Sequence, residues 1–315
     1  MPKWTNPSPT TTRIAVLLFD QFSNLCLANC IEPLRAANTL GGRALFDWTL
    51  LTSDGAAVAS SSGMQVLPHA TLASLTSCDY LFVLASYAHD GHDTPKTRRA
   101  LRLAAAEAGV VVGMDAAPWL LASAGLLNGR RATVHWDLLD AFTERFLEVE
   151  AERARVVHDQ RFLTCAGAMS ALDLTLGLIA ERAGLAVRLD VEALFMQGDP
   201  PVNAPQERGA VTDPLVRRGL ALMRENLEKP LNLKALSQVL SCQPRTLDRR
   251  FRSRLGAPPG TVYRHLRLSA ARKLLEGSTL SVAEVALRSG YESPAALTRA
   301  ICRQYGLPPS SLRHG

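Results

Sequence analysis

The hydrophobic pattern changes character about two thirds of the way along the chain. Before that point, short unbroken apolar runs alternate with helical periodicities. RIAVLLF at 13–19 is rich in branched residues and continuous, which predicts a strand buried on both faces. Phe46 to Leu51, DYLFVLA at 79–85 and Val110 to Met114 read the same way. A short strand is expected at Ala132 to Val134, and a strand pair at Arg155 to His158 and Arg161 to Cys165. Helices are expected at Asn24 to Thr39, with Leu27, Ile31, Leu34 and Ala37 inward, and at Pro95 to Gly109, with the glycine as its stop. Further helices are expected at Ala116 to Ala124, His135 to Leu147 and Ala168 to Ala183. Strands alternating with helices predict an α/β fold, a parallel sheet with helices on both faces. Its strand ends are where a ligand would sit.

From residue 211 the pattern is helical throughout. Leu233, Leu236, Val239 and Leu240 recur at helical spacing, Ser241-Cys242-Gln243 breaks the run, and Pro244 opens a second helix. On that helix Leu247 and Phe251 lie one turn apart and face inward, while Arg245, Arg249, Arg250, Arg252 and Arg254 cover the rest. The arrangement is a helix-turn-helix, and it returns about fifty residues later. There Val282, Val285, Ala286 and Leu287 form the first stripe, and Gly290 is free to take positive φ in the turn. Ser293 caps the second helix, with Leu297 and Ile301 inward and Thr298, Arg299 and Arg303 outward. An amphipathic helix from Thr261 to Glu276 separates the two units. The expected domains are therefore a tail at 1–12, an α/β domain at 13–196, a proline-rich linker at 197–210 and an all-α domain at 211–315.

Charge sharpens this division. Residues 211–315 hold 18 Lys and Arg against 7 Asp and Glu, whereas the first 210 hold 17 against 22, out of a net +6. The basicity belongs to one domain, as a double-stranded DNA footprint would require. No apolar run is long enough to span a membrane, and MPKWTNPSPTTT has no signal-peptide core, so a cytoplasmic protein is expected. The 6 cysteines show neither a paired framework nor a metal-site spacing. Buried reduced thiols are expected, with no metal and no cofactor.

The order RTLDRRF, HLRLSAARKLL, SVAEVALRSGYES and YGLPPSSLR resembles the AraC/XylS-type double helix-turn-helix domain. Gln243 stands where that family has a Ser or Thr cap, and Ala295 and Ala296 replace larger polar residues. The front part, with IEPLRAAN, VVGMDAAPWLLASAGLLNGRRATVHW and LTCAGAMSALDLTLGLI, resembles the PfpI-type, class I glutamine amidotransferase-like domain, a flavodoxin-like sandwich. Together they resemble the GlxA family of transcriptional regulators. The resemblance implies a homodimer that engages RNA polymerase, and an activator of a catabolic operon.

In catalytic relatives of that fold a cysteine stands on the turn between strand and helix. The matching position here is Asp115, which has no thiol to ionise. Cys165, at another strand-to-helix junction, is the one candidate replacement, so the front domain is expected to be noncatalytic. The resemblance places Glu32 near the same turn, and two carboxylates there would favour a cation between them. Trp119 and Trp136 are candidate walls for such a site, and His135 is either a site residue or a helix start. Carboxylates beside aromatic faces suit an ammonium or guanidinium group. Relatives with Asp at this turn resemble the subgroup responding to arginine, glycine betaine and carnitine, so a small cationic effector is expected. In the opposing reading Asp115 and Glu32 bond local groups and both tryptophans are core. An amidase-like enzyme tethered to DNA, or a front domain that only dimerises, are the competing functions. In the DNA-binding part, Arg245, Arg249, Thr298 and Arg299 are the candidates for base edges or adjacent phosphates, and Arg250, Arg252, Arg254 and Arg303 for phosphates or solvent.

Overall fold

The computed structural model describes residues 3–5, 10–195 and 213–313. The expected linker at 197–210 lies outside them. The chain divides into two compact units: Ser8–Arg182, and Ala183–Gly315 together with Met1–Pro7.

In chain order the first unit contains β1 (Thr12–Leu18), α1 (Asn24–Gly41), β2 (Phe46–Thr52), β3 (Val58–Ala59), β4 (Gln65–Val66), β5 (Ala70–Thr71), β6 (Cys78–Ala85), α2 (His89–His92) and α3 (Pro95–Ala106). There follow β7 (Ala108–Asp115), α4 (Ala117–Ser123), β8 (Arg131–Ala132), α5 (Leu139–Arg145), β9 (Glu150–Ala151), β10 (Val156–Asp159), β11 (Phe162–Cys165) and α6 (Ala168–Arg182). Seven strands make one sheet in the order β10-β11-β7-β6-β1-β2-β5. All neighbours are parallel except β10 with β11. The central strands are buried along their length because helices cover both faces. Alternate residues separate those faces. Leu17, Leu81, Val83 and Val111 join the core that holds Leu101 of α3 and Leu121 of α4. Met114 points the other way and meets Cys30 of α1, Sγ to Sδ at 3.0 Å.

Several short elements escaped the sequence pattern. The β3–β4 hairpin, β5, α2 and β9 span too few residues to show a period, and the strand expected at Ala132 to Val134 is β8, Arg131–Ala132. Gly109 is not the stop of α3. The helix ends at Ala106 and Gly109 lies inside β7, where a Cβ would stand 3.0 Å from Asp79 O. The expected helix from His135 begins as a 3-10 turn, Trp136–Leu138, before α5.

The second unit comprises α7 (Leu185–Phe195), α8 (Pro214–Glu225), α9 (Leu233–Val239), α10 (Pro244–Leu255), α11 (Pro259–Gly277), α12 (Val282–Arg288) and α13 (Pro294–Tyr305). The division therefore falls at α7, not after residue 196 as the composition suggested, because α7 bonds to α11. The N-terminal tail is also partly structured: Lys3 O and Trp4 O accept from Leu185 N and Ala186 N, and Thr12 opens β1. Leu247, Phe251, Leu297 and Ile301 are fully buried as the spacing predicts. Val239 and Leu287 are not, the latter remaining 71% exposed. Ser241 takes φ +52° in the first turn and Gly290 φ +70° in the second. Ser293 caps α13 by accepting from Ala296 N, while Gln243 makes no side-chain cap on α10.

Gly290 meets two demands at once. A Cβ there would stand 2.4 Å from Leu227 O and 2.7 Å from Pro230 Cγ, besides the left-handed φ. Gly306 has a similar φ of +73° with nothing within 4 Å. Gly306→Ala should therefore cost the conformational term alone, roughly 1–2 kcal/mol. Gly290→Ala should cost about 3 kcal/mol or more, because overpacking adds to it. Thermal unfolding of the two variants separates these outcomes, and equal losses would contradict the packing argument.

Candidate functional site

β7 ends at a tight turn. Asp115, its last residue, has φ +63°, a left-handed conformation that Asp tolerates better than most side chains. Gly113 makes the turn possible, since a Cβ there would lie 2.7 Å from Leu121 Cδ1 as α4 folds back over the strand. Backbone bonds hold the turn on two sides: Ala116 N donates to Ala85 O, and His135 N donates to Asp115 O at 2.9 Å. Register places Ala85 of β6 directly beside Asp115, which brings Ser86 to its carboxylate. Ser86 Oγ donates to Asp115 Oδ2 at 2.7 Å and itself accepts from Ser23 N.

Asp115 is 8% exposed. Burial raises its pKa above the usual carboxylate range, and the Ser86 hydrogen bond and the charges of His135 and His89 pull it back only in part. Three thiols surround the turn: Cys26 and Cys30 from α1 and Cys165 at the end of β11 are buried. A hydrogen bond with Cys30, then burial, pushes the Cys26 thiol up, and burial pushes up Cys165. Cys26 and Cys165 are thus held as thiols, not activated nucleophiles. The expectation of buried cysteines fails at Cys242, which is half-buried, and Cys302, which is exposed.

The remaining candidates separate. His135 lies beside the turn, its ring 3.4 Å from where a Gly167 Cβ would stand. Trp136 follows it, 65% exposed, with ring centroids 5.4 Å apart. Trp119 is instead a core residue, packed on Phe142 and Phe146 and edge-on to His89 at 5.2 Å. Glu32 is not brought to the turn. Its carboxylate is 47% exposed and accepts from Arg35 Nε at 2.7 Å. The face of α1 directed at Asp115 carries Cys26 and Cys30, and a residue two positions beyond Cys30 leaves that face. Sequence reasoning missed Ser86 and His89, which follow the apolar run of β6 at the sheet's carboxyl edge. A hollow of about 600 Å³ lies elsewhere, at the end of α4, lined by Arg98, Ser123, Asn128, Arg145, Phe146 and Glu148. Its arginines are engaged with the buried Asp93, at 2.7 and 3.8 Å. Among the described residues no group of three or more His, Cys, Asp or Glu is placed to hold a metal ion, and no helix is long and apolar enough to cross a membrane.

In the second unit the arginines of α10 divide by partner. Arg250 and Arg254 reach the buried Asp213, the N-cap of α8, at 3.1 and 3.8 Å. Arg252 donates to Asp248 at 2.8 Å. Arg245 and Arg249 stay exposed on the same helix, as do Arg299 and Arg303 on α13. The Thr298 hydroxyl donates to Pro294 O.

Asp115 makes stability depend on pH in a defined direction. Its pKa is raised on folding, so its contribution is intact below the ordinary carboxylate value and is lost as pH rises toward the raised one. Asp115→Asn keeps an acceptor for Ser86, tolerates the left-handed φ and removes the titration. Its melting temperature should gain on the wild type as pH rises above about 4, the ordinary carboxylate value. A difference that is flat or shrinks with pH would refute the buried-carboxylate assignment.

Comparison with known proteins agrees with both halves. Residues 12–181 match the DJ-1/PfpI family, and residues 236–315 match a helix-turn-helix domain family. The chain is similar to the HTH-type transcriptional regulator GlxA of Rhizobium meliloti, 34% identical over 313 residues, 97% of each chain. It is also similar to the HTH-type transcriptional regulator CdhR of Pseudomonas aeruginosa, 33% identical over 94% of this chain and 90% of that one. Among solved structures, an AraC family transcriptional regulator from Pseudomonas putida superposes with a TM-score of 0.52 at 25% identity, covering 58% of this chain and 98% of that one. A DJ-1/PfpI domain with a carboxylate on its strand-to-helix turn, joined to a double AraC-type helix-turn-helix domain, makes this chain a member of the GlxA family of transcriptional regulators.

Proposed function

We propose that the front unit binds a small cationic nitrogen metabolite, of the arginine, glycine betaine or carnitine class, at Asp115, and that this sets the DNA-binding activity of the second unit. The observation that carries the reading is the state of that carboxylate. It is buried, and the hydrogen bond it accepts comes from a neutral hydroxyl. An ammonium or guanidinium group supplies the charge that burial denies it. Trp136 and Tyr87, both exposed and next in sequence to His135 and Ser86, offer faces for such a cation. Trp119 and Glu32 drop out of the site.

Catalysis has little to support it: the turn lacks a thiol, and Cys26 and Cys165 beside it are pushed away from the thiolate form. In DNA recognition, Arg245 and Arg249 read bases for the first helix-turn-helix and Arg299 for the second. Thr298 offers its methyl group more than its hydroxyl, which is already donated. Arg250 serves the fold through Asp213. A cytoplasmic homodimer that recruits RNA polymerase to a catabolic operon completes the reading.

A thermal-shift panel on the full chain tests the sensor, with arginine, glycine betaine, carnitine and putrescine against neutral and acidic amino acids. A ligand at about 100 times its Kd stabilises by about 2.7 kcal/mol. One cationic compound should raise the melting temperature, and Asp115→Ala should abolish the shift. A response confined to neutral or anionic compounds, or one that survives Asp115→Ala, sinks the proposal.

Selection of binding sites from random duplexes tests the arginines. Arg249→Ala should relax one base position by roughly 1–3 kcal/mol of discrimination. Arg250→Ala should leave the selected sequence unchanged and lower the melting temperature, since it strips a partner from a buried carboxylate. An exchange of these two phenotypes would show that the division of α10 is wrong.

A further inference from the structure

α11 lies between the two helix-turn-helix pairs, and one of its faces touches a connecting segment of each. Tyr263 and Arg267 stand one helical turn apart on α11 and so share that face. Tyr263 is buried, and its hydroxyl donates to Asn226 O at 2.6 Å and accepts from Leu231 N at 3.3 Å. Both atoms belong to the connection that leaves α8 and leads to the Asn232 cap of α9. Arg267, half-buried, goes to the other pair. Its Nε donates to Ser289 O at 2.8 Å and its Nη2 donates to Gly290 O. The same guanidinium lies over the ring of Tyr291, 4.4 Å from the centroid.

These contacts hold the turn between α12 and α13. Ser289 is the C-cap of α12, so its carbonyl is one that the helix itself leaves without a partner. A guanidinium can meet two adjacent carbonyls and an aromatic face at once, because it is planar and carries its donors in a fixed fork. Leu268, next to Arg267, belongs to the core that holds Leu297 and Ile301 of α13. The turn and the helix it leads into are thus both seated on α11. The two connections also meet each other. A Cβ on Gly290 would stand 2.4 Å from Leu227 O and 2.7 Å from Pro230 Cγ, and both residues lie within the segment that Tyr263 holds. With two side chains, α11 grips the connections of both pairs at the place where they touch.

We propose that Arg267 is a positioning residue that sets the spacing between the two DNA half-sites: by fixing the α12–α13 turn against the first helix pair, it holds α13 in one pose relative to α10 and so selects one separation of the bases they read. Two reading helices in a fixed relation bind tightly only where the half-sites are separated to match. A loose joint at the same point lets the protein follow several separations and weakens its grip on the best one. α10 is held to its own pair by Arg250 and Arg254 on Asp213 and by Phe251 against Gly219. Loosening the clamp therefore leaves the base preference of each half in place and changes the relation between them.

The proposal rests on the reading of DNA by both helix pairs, and the experiment keeps the two apart. Sites are selected from random duplexes with the wild-type full chain, and the half read by α10 is the one whose base preference Arg249→Ala relaxes. Duplexes are then made with one base pair inserted or removed between the halves. Affinities are measured by fluorescence anisotropy for the wild type, Arg267→Gln and Arg267→Lys. The wild type should bind the selected spacing about tenfold more tightly than either altered spacing, and each variant should reduce that preference to within about threefold. The bases preferred within each half should stay those of the wild type. Arg267→Lys keeps the charge but not the fork, and it serves if Arg267→Gln does not fold. A spacing preference that survives in the variants, including a uniform loss of affinity on all three duplexes, overturns the role of Arg267. A wild type indifferent to spacing overturns the two-headed reading itself.

Discussion

The turn between β7 and α4 is the constraint on which the chemistry of the front unit depends. A strand buried on both faces must end and enter a helix that packs back on it within two residues. The side chain is therefore omitted at Gly113, and Asp115 sits in a backbone region that costs an L-residue roughly 1–2 kcal/mol. The cost is carried by neighbours that have no freedom to move: the ends of β6 and β7 are in register, and Ala85, Ser86 and His135 each bond to the turn. A side chain held this way points to one place whatever its identity. The same scaffold that would aim a nucleophile aims a carboxylate here.

How much of this was legible follows from how far each signal extends along the chain. The parallel strands were legible because burial on both faces writes itself as an unbroken apolar run. The turn was legible because glycine, aspartate and alanines stand between such a run and a helix. Two-residue strands carry no period, so β3, β4, β5 and β9 could not be read, while β8 was expected one residue late, at Ala132 to Val134. Glu32 was misplaced because a motif fixes the order of residues on α1 but not its rotation: Cys26 and Cys30 own the face toward the turn. Trp119 and Trp136 looked alike as letters, and only packing made one a core residue and left the other in solvent. The division of the arginines on α10 was illegible for another reason. Asp213, which engages two of them, is 37 residues away from Arg250, and no local pattern reports such a partner.

The division changes what the basic charge of the second unit means. Counted as letters, α10 carries five positive charges in its twelve residues. Counted as groups free to meet DNA, it presents mainly Arg245 and Arg249, because Asp213 and Asp248 engage the others. Arginines already bound to carboxylates release fewer counterions, so they add less to affinity and to its salt dependence than their number suggests. What they supply is a fixed pose for α10 against Asp213 at the start of α8.

Other buried aspartates among the described residues are partnered differently from Asp115. Asp213 has two arginines and two backbone N–H groups. Asp93 has Arg98, Arg145 and the Ser123 hydroxyl. Asp190 has an imidazole and a hydroxyl. Each is placed with charge close at hand, as a buried carboxylate in a settled fold must be. Asp115 has a serine hydroxyl, with two histidines acting on it at longer range, and its pKa rises where that of Asp93 falls. At the carboxyl edge of its sheet Asp115 is thus a buried aspartate held by a neutral hydroxyl, where Asp93 and Asp213 are held by arginines.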